Sequence, residues 1–404
     1  MGVAVAALGM SVALPSAGAA TAEVPCTGTT GDAAALASAV QAAAPGSPTT
    51  ITLHAGCVYH LTRQQVLGVG ANKNVTIEGA GATITRAQGN TRPLLVAADT
   101  GTLTVHEVSL LGSKPTPTEP LITNAGGTLT VDHSTLTDND AAPRYGGGGT
   151  ITQSQLTSRS TITHSTITGN TGALGSAPIN IFEGTVTIDS STISGNTGSL
   201  AGAITNDGTL TVSRTTISGN TGRTGGIANG RGLRVQDHSR ITDNTGTAGG
   251  AAGGILNDFG DASLTVTDSV IQGNKSAGDG GGIRSRAQPV TITHSTITGN
   301  TAANNGGGIA VTHSALETWY TIDQASSVDG NTATGHGGGI YLANDSPSST
   351  FTLTGLEVRN NTAGSDGGGI YAQLAHPFAA INLTAEDGNK PDLCAGNRGP
   401  LCQN

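Results

Sequence analysis

Residues 209–230 read TLTVSRTTISGNTGRTGGIANG, and three short phrases in this stretch recur along most of the chain. The first phrase alternates Thr with apolar residues (209–212), the second is Thr-Ile-Ser-Gly-Asn-Thr (216–221), and the third is Gly-Gly-Ile (225–227). Full or weaker copies of the second phrase return at steps of 24 to 31 residues. The Asn of this phrase stands at Asn139, Asn170, Asn196, Asn220, Asn244, Asn274, Asn300, Asn331 and Asn361.

This period predicts a parallel β-helix in which each coil contains three short strands. Helical repeats need apolar residues spaced at about 3.6 residues, whereas these phrases alternate with a period of two. The alternation predicts that Leu210 and Val212 face the core, while Thr209 and Thr211 face outward. Because neighbouring strands lie about 4.8 Å apart, about 10–12 coils would form a rod of roughly 50–60 Å. The predicted fold is therefore an all-β, right-handed parallel β-helix.

The Gly and Asn of the repeat indicate how each coil turns. We expect the Gly-Gly pairs to supply positive-φ corners, because glycine has no Cβ to oppose that conformation. We expect the repeated Asn residues to stack coil on coil and to hydrogen-bond along the rod. Small inward side chains would fill a narrow core, which accounts for an aromatic content of only 2%.

The ends of the rod need caps, because an open coil exposes unpaired backbone groups. Residues 32–43 form a predicted amphipathic helix, and Pro45-Gly46 ends it. The strand-like 50–53 would then open the first coil. The non-repetitive tail would cap the other end.

The N-terminus has features of a secretory signal, with an apolar run over 3–14 followed by Ala17-Gly18-Ala19 as a cleavage site. No other apolar stretch is long enough to span a bilayer. The net charge is −9 and no basic run occurs, so nucleic acid and anionic membranes are not expected partners. We therefore expect a secreted, extracellular protein. Its predicted parts are a signal peptide (1–22), an N-terminal cap (23–50), the β-helix (51–385) and a disulfide-closed C-terminal cap (386–404).

The cysteines lie as one pair near each end: Cys26 with Cys57, and Cys394 with Cys402. An even count in an exported chain indicates disulfides. Three pairings are open, and we favour Cys26–Cys57 and Cys394–Cys402, so that each bond closes a loop at one end of the rod. A zinc site built from these cysteines is disfavoured, because no Cys-x-x-Cys spacing occurs.

The combination of Gly-Gly-Ile with Ile-x-x-Asn-Thr resembles the repeats of the polymorphic outer-membrane protein type, which carry Gly-Gly-Ala-Ile and Phe-x-x-Asn. Residues 51–59, ITLHAGCVY, resemble the beginning of β-helices in the pectin-lyase-like superfamily. The resemblance covers about residues 26–385 and implies the β-helix fold. For the pectin-lyase-like group it also implies lyases or hydrolases that act on acidic polysaccharides.

We predict no catalytic residues and no required cofactor. Gly335-His336-Gly337 matches a short element of polygalacturonases, but the Asp-containing elements that accompany it in that family are absent. The repeat itself accounts for His336, since other coils place Asp279 or Asp366 at the same position before Gly-Gly-Ile. The Asp-containing turn at 257–261 offers oxygen ligands for Ca²⁺, although such residues more often only form turns.

One surface suits a carbohydrate. In the strand after Gly-Gly-Ile, the first outward residues of successive coils are Arg284, Ala310, Tyr341 and Tyr371. Two stacked tyrosines beside charged residues would form a patch for stacking on sugar rings, and ordinary packing between coils is the alternative. The candidate carbohydrate-contact residues are Arg284, Trp319, His336, Tyr341, Asp366 and Tyr371, with Arg286 beside them.

The outward threonines form a second surface, a Thr-x-Thr array that resembles ice-binding β-helices. Thr is also a polar, β-branched residue that simply suits an outward strand position. Arg234 interrupts the array. Its main column is Thr104, Thr130, Thr161, Thr187, Thr211, Thr265, Thr291, Thr321 and Thr352.

These features favour a secreted, non-catalytic β-helix that acts as an extracellular surface-interaction or matrix scaffold. The alternative is a polysaccharide lyase, a glycoside hydrolase or a carbohydrate binder that uses the face of Tyr341 and Tyr371. Ice binding through the threonine column is the third interpretation. The expected partner is an extracellular polysaccharide or a surface protein.

Overall fold

Parallel strands stacked coil on coil form almost all of the computed structural model, and the predicted all-β parallel β-helix is confirmed. The strands belong to sheets of 25, 13 and six members. Within the described residues there is a single helix, Ala33–Ala42. The structure describes residues 19–112, 119–140, 148–172, 175–248, 250–258, 261–287, 289–312, 319–323, 325–344, 350–374, 380–385 and 387–396.

Each coil repeats the same order of strands, and the coil that contains the quoted stretch is typical. Thr209–Ser213 is its threonine strand and Thr216–Ser218 its corner strand, which leads to the repeated Asn. Ile227–Asn229 is its isoleucine strand, which follows Gly-Gly. The predicted three strands are present, and a fourth strand of two residues, Thr221–Gly222, lies between the Asn and the Gly-Gly pair.

The other coils contain equivalent strands. The threonine strands are Ala20–Glu23, Pro48–Thr52, Asn74–Arg86, Thr102–Leu111, Thr128–Asp132, Arg159–Thr163, Thr185–Asp189, Gly232–Gln236, Ser263–Thr267, Val290–Thr293, Trp319–Asp323, Thr350–Arg359 and Ala380–Ala385. The corner strands are Thr30–Gly31, Val58–Leu61, Thr135–Thr137, Thr166–Thr168, Thr192–Ser194, Arg240–Thr242, Val270–Gln272, Thr296–Thr298 and Ser327–Asp329. Cys26–Thr27 pairs antiparallel with Thr30–Gly31. The isoleucine strands are Leu67–Val69, Leu95–Ala98, Ile122–Ala125, Ile151–Ser154, Ile179–Ile181, Ile204–Asn206, Ile255–Asn257, Ile283–Ser285, Ile309–Val311, Ile340–Asn344, Ile370–Leu374 and Cys394–Gly396. The further short strands are Thr245–Gly246, Lys275–Ser276, Thr301–Ala302, Thr332–Ala333 and Thr362–Ala363.

The core follows the period-two pattern of the sequence. Leu210, Val212, Ile217 and Ile227 point inward from the three longer strands of one coil, and none has any solvent-exposed surface. Thr209, between buried positions, is exposed. Because most coils place Ile, Leu or Val at these positions, the core is a continuous narrow column made mainly of these three residue types.

The repeated Asn residues form a buried ladder at one corner, as predicted. Asn220 donates from its backbone N–H and from Nδ2 to Oδ1 of Asn244, at 3.0 and 2.9 Å. Its Nδ2 also donates to the backbone carbonyl of Ile193 at 3.0 Å, and its own Oδ1 accepts the two equivalent bonds from Asn196. The same pattern continues from Asn170 to Asn389. One amide side chain per coil therefore satisfies backbone groups that the turn would otherwise bury unpaired.

The role expected for the Gly-Gly pairs is wrong. Gly281 and Gly282 have no positive φ; the residue that adopts it is Gly280, just before them, at +64°. A Cβ on Gly281 would lie 2.3 Å from the carbonyl oxygen of Gly307 in the next coil. The pair is glycine because the backbones of adjacent coils approach too closely for a side chain, and not because of backbone conformation.

The N-terminal cap is the helix Ala33–Ala42 with a disulfide beside it. Asp32 caps the helix by accepting from the N–H groups of Ala34 and Ala35 at 3.0 and 2.9 Å. Leu36 and Val40 are fully buried against the first coils. This helix is neither long nor apolar enough to cross a membrane, and it is the only one in the described ranges.

Cys26 and Cys57 form the N-terminal disulfide favoured from the sequence. Cys394 lies in the last isoleucine strand, but Cys402 lies outside the described residues, so the second disulfide stays a prediction. The apolar run over 3–14 also lies outside them. The first strand begins at Ala20, ahead of the boundary expected at residue 22.

Replacing Ile217 with Asp should lower the free energy of unfolding by about 3–5 kcal/mol, because it places a carboxylate in a core without polar partners. Thr216→Asp, one residue earlier on the outward face, is the matched control and should change it by less than about 1 kcal/mol. Urea denaturation measures both. Equal effects of the two substitutions would contradict the inward assignment of Ile217.

Gly281→Ala should destabilise the protein by roughly 1–3 kcal/mol, because the added methyl group collides with the backbone of the next coil. Gly68→Ala is the control, since a Cβ there meets nothing within 4 Å and no positive φ is recorded. Thermal and urea denaturation of both variants measure the difference. A Gly281 variant as stable as the Gly68 variant would refute the close approach.

Candidate functional site

The outer side of the isoleucine sheet carries three columns of side chains, defined by their distance from the Ile of Gly-Gly-Ile. Arg223, Asp279, His336 and Asp366 each lie four residues before that Ile. The second column contains the residue directly after that Ile. The third column contains the residue three positions after that Ile. The second column runs Thr205, Ala228, Leu256, Arg284, Ala310, Tyr341 and Tyr371 by strand register, in the order expected.

A cleft of about 650 Å³ lies over this face across four successive coils, which we call the arginine cleft. Its size falls within the range of pockets that bind small ligands or single sugar units. Members of all three columns line it, together with loop residues of the same coils. The lining is Leu200, Thr205, Asp207, Arg223, Ala228, Asn229, Gly230, Gly250, Leu256, Asp258, Arg284 and Arg286.

Two of the three arginines in the cleft are held in place by neighbours. Arg286 binds Asp258 through two parallel hydrogen bonds, Nε to Oδ1 at 2.9 Å and Nη2 to Oδ2 at 2.6 Å. This contact raises the pKa of the Arg286 guanidinium and occupies both oxygens of Asp258, one of the two Asp residues in the turn considered for Ca²⁺. Arg284 is buried, donates from Nη1 to the carbonyl of Gly250, and has Nε 3.7 Å from Oδ2 of Asp279. Burial lowers the pKa of Arg284.

The third arginine and the second carboxylate have no such partners. The side chains of Arg223 and Asp207 are exposed and make no hydrogen bond or ion pair with any residue in the described ranges. Partial burial raises the pKa of the Asp207 carboxyl, which lies against Gly230. A free guanidinium and a free carboxyl therefore face the same cleft.

The floor of the cleft is apolar and rigid. Ala228 and Leu256 point into it from successive isoleucine strands, and Leu200 packs beside Ala228. Asn229 belongs to a second buried amide ladder, in which it accepts from Asn206 at 2.7 Å and donates to Asn257 at 2.6 Å. The cleft thus combines an apolar floor, fixed hydrogen-bonding groups and one unpaired cation.

The candidate residues His336, Tyr341, Asp366 and Tyr371 lie together further along the same face. The rings of Tyr341 and Tyr371 stack with centroids 5.6 Å apart, and the His336 ring lies 4.3 Å from that of Tyr371. Nδ1 of His336 is 3.8 Å from Oδ2 of Asp366. Because these rings stack on each other along the rod, ring faces that a sugar would need are partly taken up by protein neighbours.

Trp319 and Arg284 do not join that group. Trp319 is 54% exposed, but it lies at the start of a threonine strand, paired with Thr350, and so belongs to a different sheet from Tyr341 and Tyr371. Arg284 shares the column of the tyrosines, yet the coil that contains Ala310 lies between Arg284 and Tyr341. The contacts of Arg284 lie in the arginine cleft. The expected single patch is therefore divided.

The threonine column spans more coils than expected. Strand register extends it backward from Thr104 to Thr76, Thr50 and Thr21, and Arg234 interrupts it as predicted. The second rank of threonines is broken, because Arg159 stands between Thr128 and Thr185, and Gly232 follows Thr209. A regular two-rank array does not exist. The column itself is Thr21, Thr50, Thr76, Thr104, Thr130, Thr161, Thr187, Thr211, Thr265, Thr291, Thr321 and Thr352.

Sequence reasoning missed Asp207 and Arg223, although the repeat contained the signal. Counting from the Ile of Gly-Gly-Ile places Arg223 in the column of Asp279 and His336, and Asp207 in the column of Asp258 and Arg286. The same count, applied to the coils before Ile283, groups the charged residues of the cleft.

Comparison with known proteins identifies the repeats. The model of the Chlamydia polymorphic membrane protein repeat matches residues 294–312, 325–343 and 355–373. Among solved structures, the A-module of an Azotobacter vinelandii mannuronan C-5 epimerase is 15% identical, covers 91% of this chain and 95% of its own, and gives a TM-score of 0.47. A periplasmic alginate epimerase is 10% identical, covers 87% of this chain and 76% of its own, and gives a TM-score of 0.37. No curated protein sequence matches.

Proposed function

We propose that this parallel β-helix, with its repeats of the polymorphic membrane protein type, is an exported and non-catalytic protein that binds an acidic polysaccharide in the arginine cleft. By holding such a polymer it would act as a scaffold at the cell surface or in the extracellular matrix. The observation that carries the proposal is Arg223, an unpaired guanidinium in a cleft of sugar-binding size.

The chemistry of the cleft suits a sugar that bears a carboxylate. A guanidinium binds a carboxylate through two parallel hydrogen bonds, and no carboxylate in the described part of the chain pairs with Arg223. Asp207 and Thr205 offer hydrogen-bonding oxygens for sugar hydroxyls, while Leu256 provides an apolar surface for the ring. The chain as a whole carries a net charge of −9, so attraction must come from this local arrangement and not from the overall field.

Two observations support export to the cell surface. The Cys26–Cys57 disulfide is typical of proteins that fold in oxidising compartments. The matched repeat model describes a membrane protein of Chlamydia, which favours a role at a surface. Most of the expected signal, residues 1–18, lies outside the described ranges, so the structure does not test it.

Arg223→Gln should weaken binding to oligomers of polygalacturonate or alginate at least about tenfold, because a hydrogen bond to a charged group contributes about 1.5–3 kcal/mol. Isothermal titration calorimetry of the full chain measures the affinity, and neutral dextran oligomers should not bind. Raising the salt concentration should weaken the interaction.

Arg234→Gln is the matched control, since Arg234 is also exposed but lies in the threonine column on another sheet. It should bind like the original chain. The proposal fails if the original chain binds neither acidic polymer, or if Arg234→Gln and Arg223→Gln lose affinity equally. If Tyr371→Ala abolishes binding while Arg223→Gln retains it, the polymer lies on the tyrosine group and the cleft is not the site.

A second candidate is catalysis on the same polysaccharide, which the raised pKa of Asp207 favours. A carboxyl that stays protonated nearer to neutral pH is suited to act as a general acid. In that case the chain should release reducing ends or unsaturated uronates from polygalacturonate or alginate, and Asp207→Asn should lose this activity. Absence of turnover with bound polymer would leave the binding role and exclude an enzyme for these substrates.

A further inference from the structure

A group of histidines and carboxylates lies on the threonine sheet, far from the arginine cleft in the sequence. Strand register places Glu78, His106 and Asp132 in one outward column of three successive coils. His133 follows Asp132 at the turn, and His164 occupies the same turn one coil later. We call these five residues the histidine cluster.

Contacts between these side chains are short. Nδ1 of His106 lies 2.7 Å from Oε2 of Glu78, and Nε2 of the same ring lies 3.5 Å from Oδ2 of Asp132. Nδ1 of His133 lies 2.9 Å from that same oxygen. Ligand atoms of His106, Asp132 and His133 thus converge, all within 4.8 Å of one another.

The repeat geometry produces this convergence. His133 and His164 adopt positive φ values of 46° and 48°, which only a minority of non-glycine residues do. Their rings consequently stack with centroids 4.5 Å apart at 20°. Thr163 donates to Oδ1 of Asp132 at 2.6 Å, and Nδ1 of His164 is 3.2 Å from that oxygen. Asp132 is therefore fixed through Oδ1, while Oδ2 is directed at the other two histidines.

We propose that His106, Asp132 and His133 bind a Zn²⁺ ion through two imidazole nitrogens and Oδ2 of the carboxylate. A tetrahedral Zn²⁺ with bonds of about 2.0–2.1 Å separates its ligand atoms by about 3.4 Å. The distance from His106 to Asp132 already matches this value, and the contact of His133 with Asp132 needs to open by about half an ångström. The fourth coordination position of the Zn²⁺ ion remains for water or an external ligand.

Glu78 supports this assignment. Imidazoles that bind a metal through one nitrogen usually donate the other N–H to a carboxylate, which fixes the ring and strengthens the ligand. The short contact of Glu78 with Nδ1 of His106 leaves Nε2 for the metal. Two nitrogen ligands and one oxygen ligand suit Zn²⁺, whereas Ca²⁺ and Mg²⁺ prefer sets made of oxygen alone.

The cluster is open to solvent. The side chains of His106 and Asp132 are 33% and 25% exposed, and His133 is more exposed still. A shallow depression of about 360 Å³, lined by His133, Glu107 and Thr135 among others, lies beside it. An ion can enter without rearrangement of the fold, and an external ligand can reach the fourth position. The site is independent of the polysaccharide proposed above.

Calorimetric titration of the tag-free, EDTA-treated full chain with ZnCl₂ tests the assignment. We expect one Zn²⁺ per chain, and Co²⁺ in its place should give the visible absorption of a tetrahedral site. His106→Gln and Asp132→Asn should weaken Zn²⁺ binding at least about 100-fold, and Glu78→Gln about tenfold. Ca²⁺ in excess should not compete. Circular dichroism and melting temperature of the metal-free variants show whether each one folds.

His294→Asn is the matched control. His294 occupies the same kind of turn as His133, with a φ of 48°, yet within the described ranges it belongs to no group of three or more converging ligand atoms. This variant should bind Zn²⁺ like the original chain. The assignment is overturned if the metal-free chain takes up no Zn²⁺, or if folded His106→Gln binds it as tightly as the original. Equal losses in His294→Asn and Asp132→Asn would also overturn it.

Discussion

A coil that turns tightly buries backbone N–H and C=O groups that no strand can pair, and the repeated Asn side chains satisfy them. Asn220 donates to Asn244 and to the carbonyl of Ile193, and it accepts from Asn196. Leaving such groups unpaired costs about 1–3 kcal/mol each. The ladder therefore stabilises this one corner in successive coils, and it also holds adjacent coils in one register. The glycine pairs also allow adjacent coils to stack tightly, since Gly281 lets the backbones of two coils approach where any side chain would collide.

Fixed register turns positions in the repeat into columns on the surface. Residues that are 24 to 31 apart in sequence become neighbours, so a group of side chains needs only one residue from each coil. The arginine cleft draws on three columns of the isoleucine sheet, and the histidine cluster draws on one column and a turn of the threonine sheet. Both groups occupy outward positions, where the core imposes no constraint on residue type. The same scaffold can thus carry a polymer-binding cleft and a metal site on different faces.

Much of the fold could be predicted from sequence, because the same alternation of apolar and polar residues and the same Asn recur in successive coils. Leu210 and Val212 face inward, Thr211 faces outward, and the Asn corner forms the expected ladder. The role of Gly-Gly was misjudged because sequence does not distinguish a glycine needed for φ from one needed for close contact. The candidate site was only partly predictable. The strand register is needed to place Trp319 on the threonine sheet and away from Tyr341 and Tyr371. The convergence of His106 with His133 depends on a positive φ at His133, which a histidine seldom adopts and which the sequence does not reveal.

The claim that the asparagine ladder holds the coils in register is tested most directly by hydrogen–deuterium exchange of the full chain. Backbone amides of Asn196, Asn220 and Asn244 should be among the slowest to exchange, because each donates to a buried side-chain oxygen. In Asn220→Ala, exchange should accelerate at Asn196 and at the corners next to it, while the distant Asn331 stays protected. Unchanged exchange at Asn196, or corner amides that exchange as fast as surface loops in the original chain, would contradict the account.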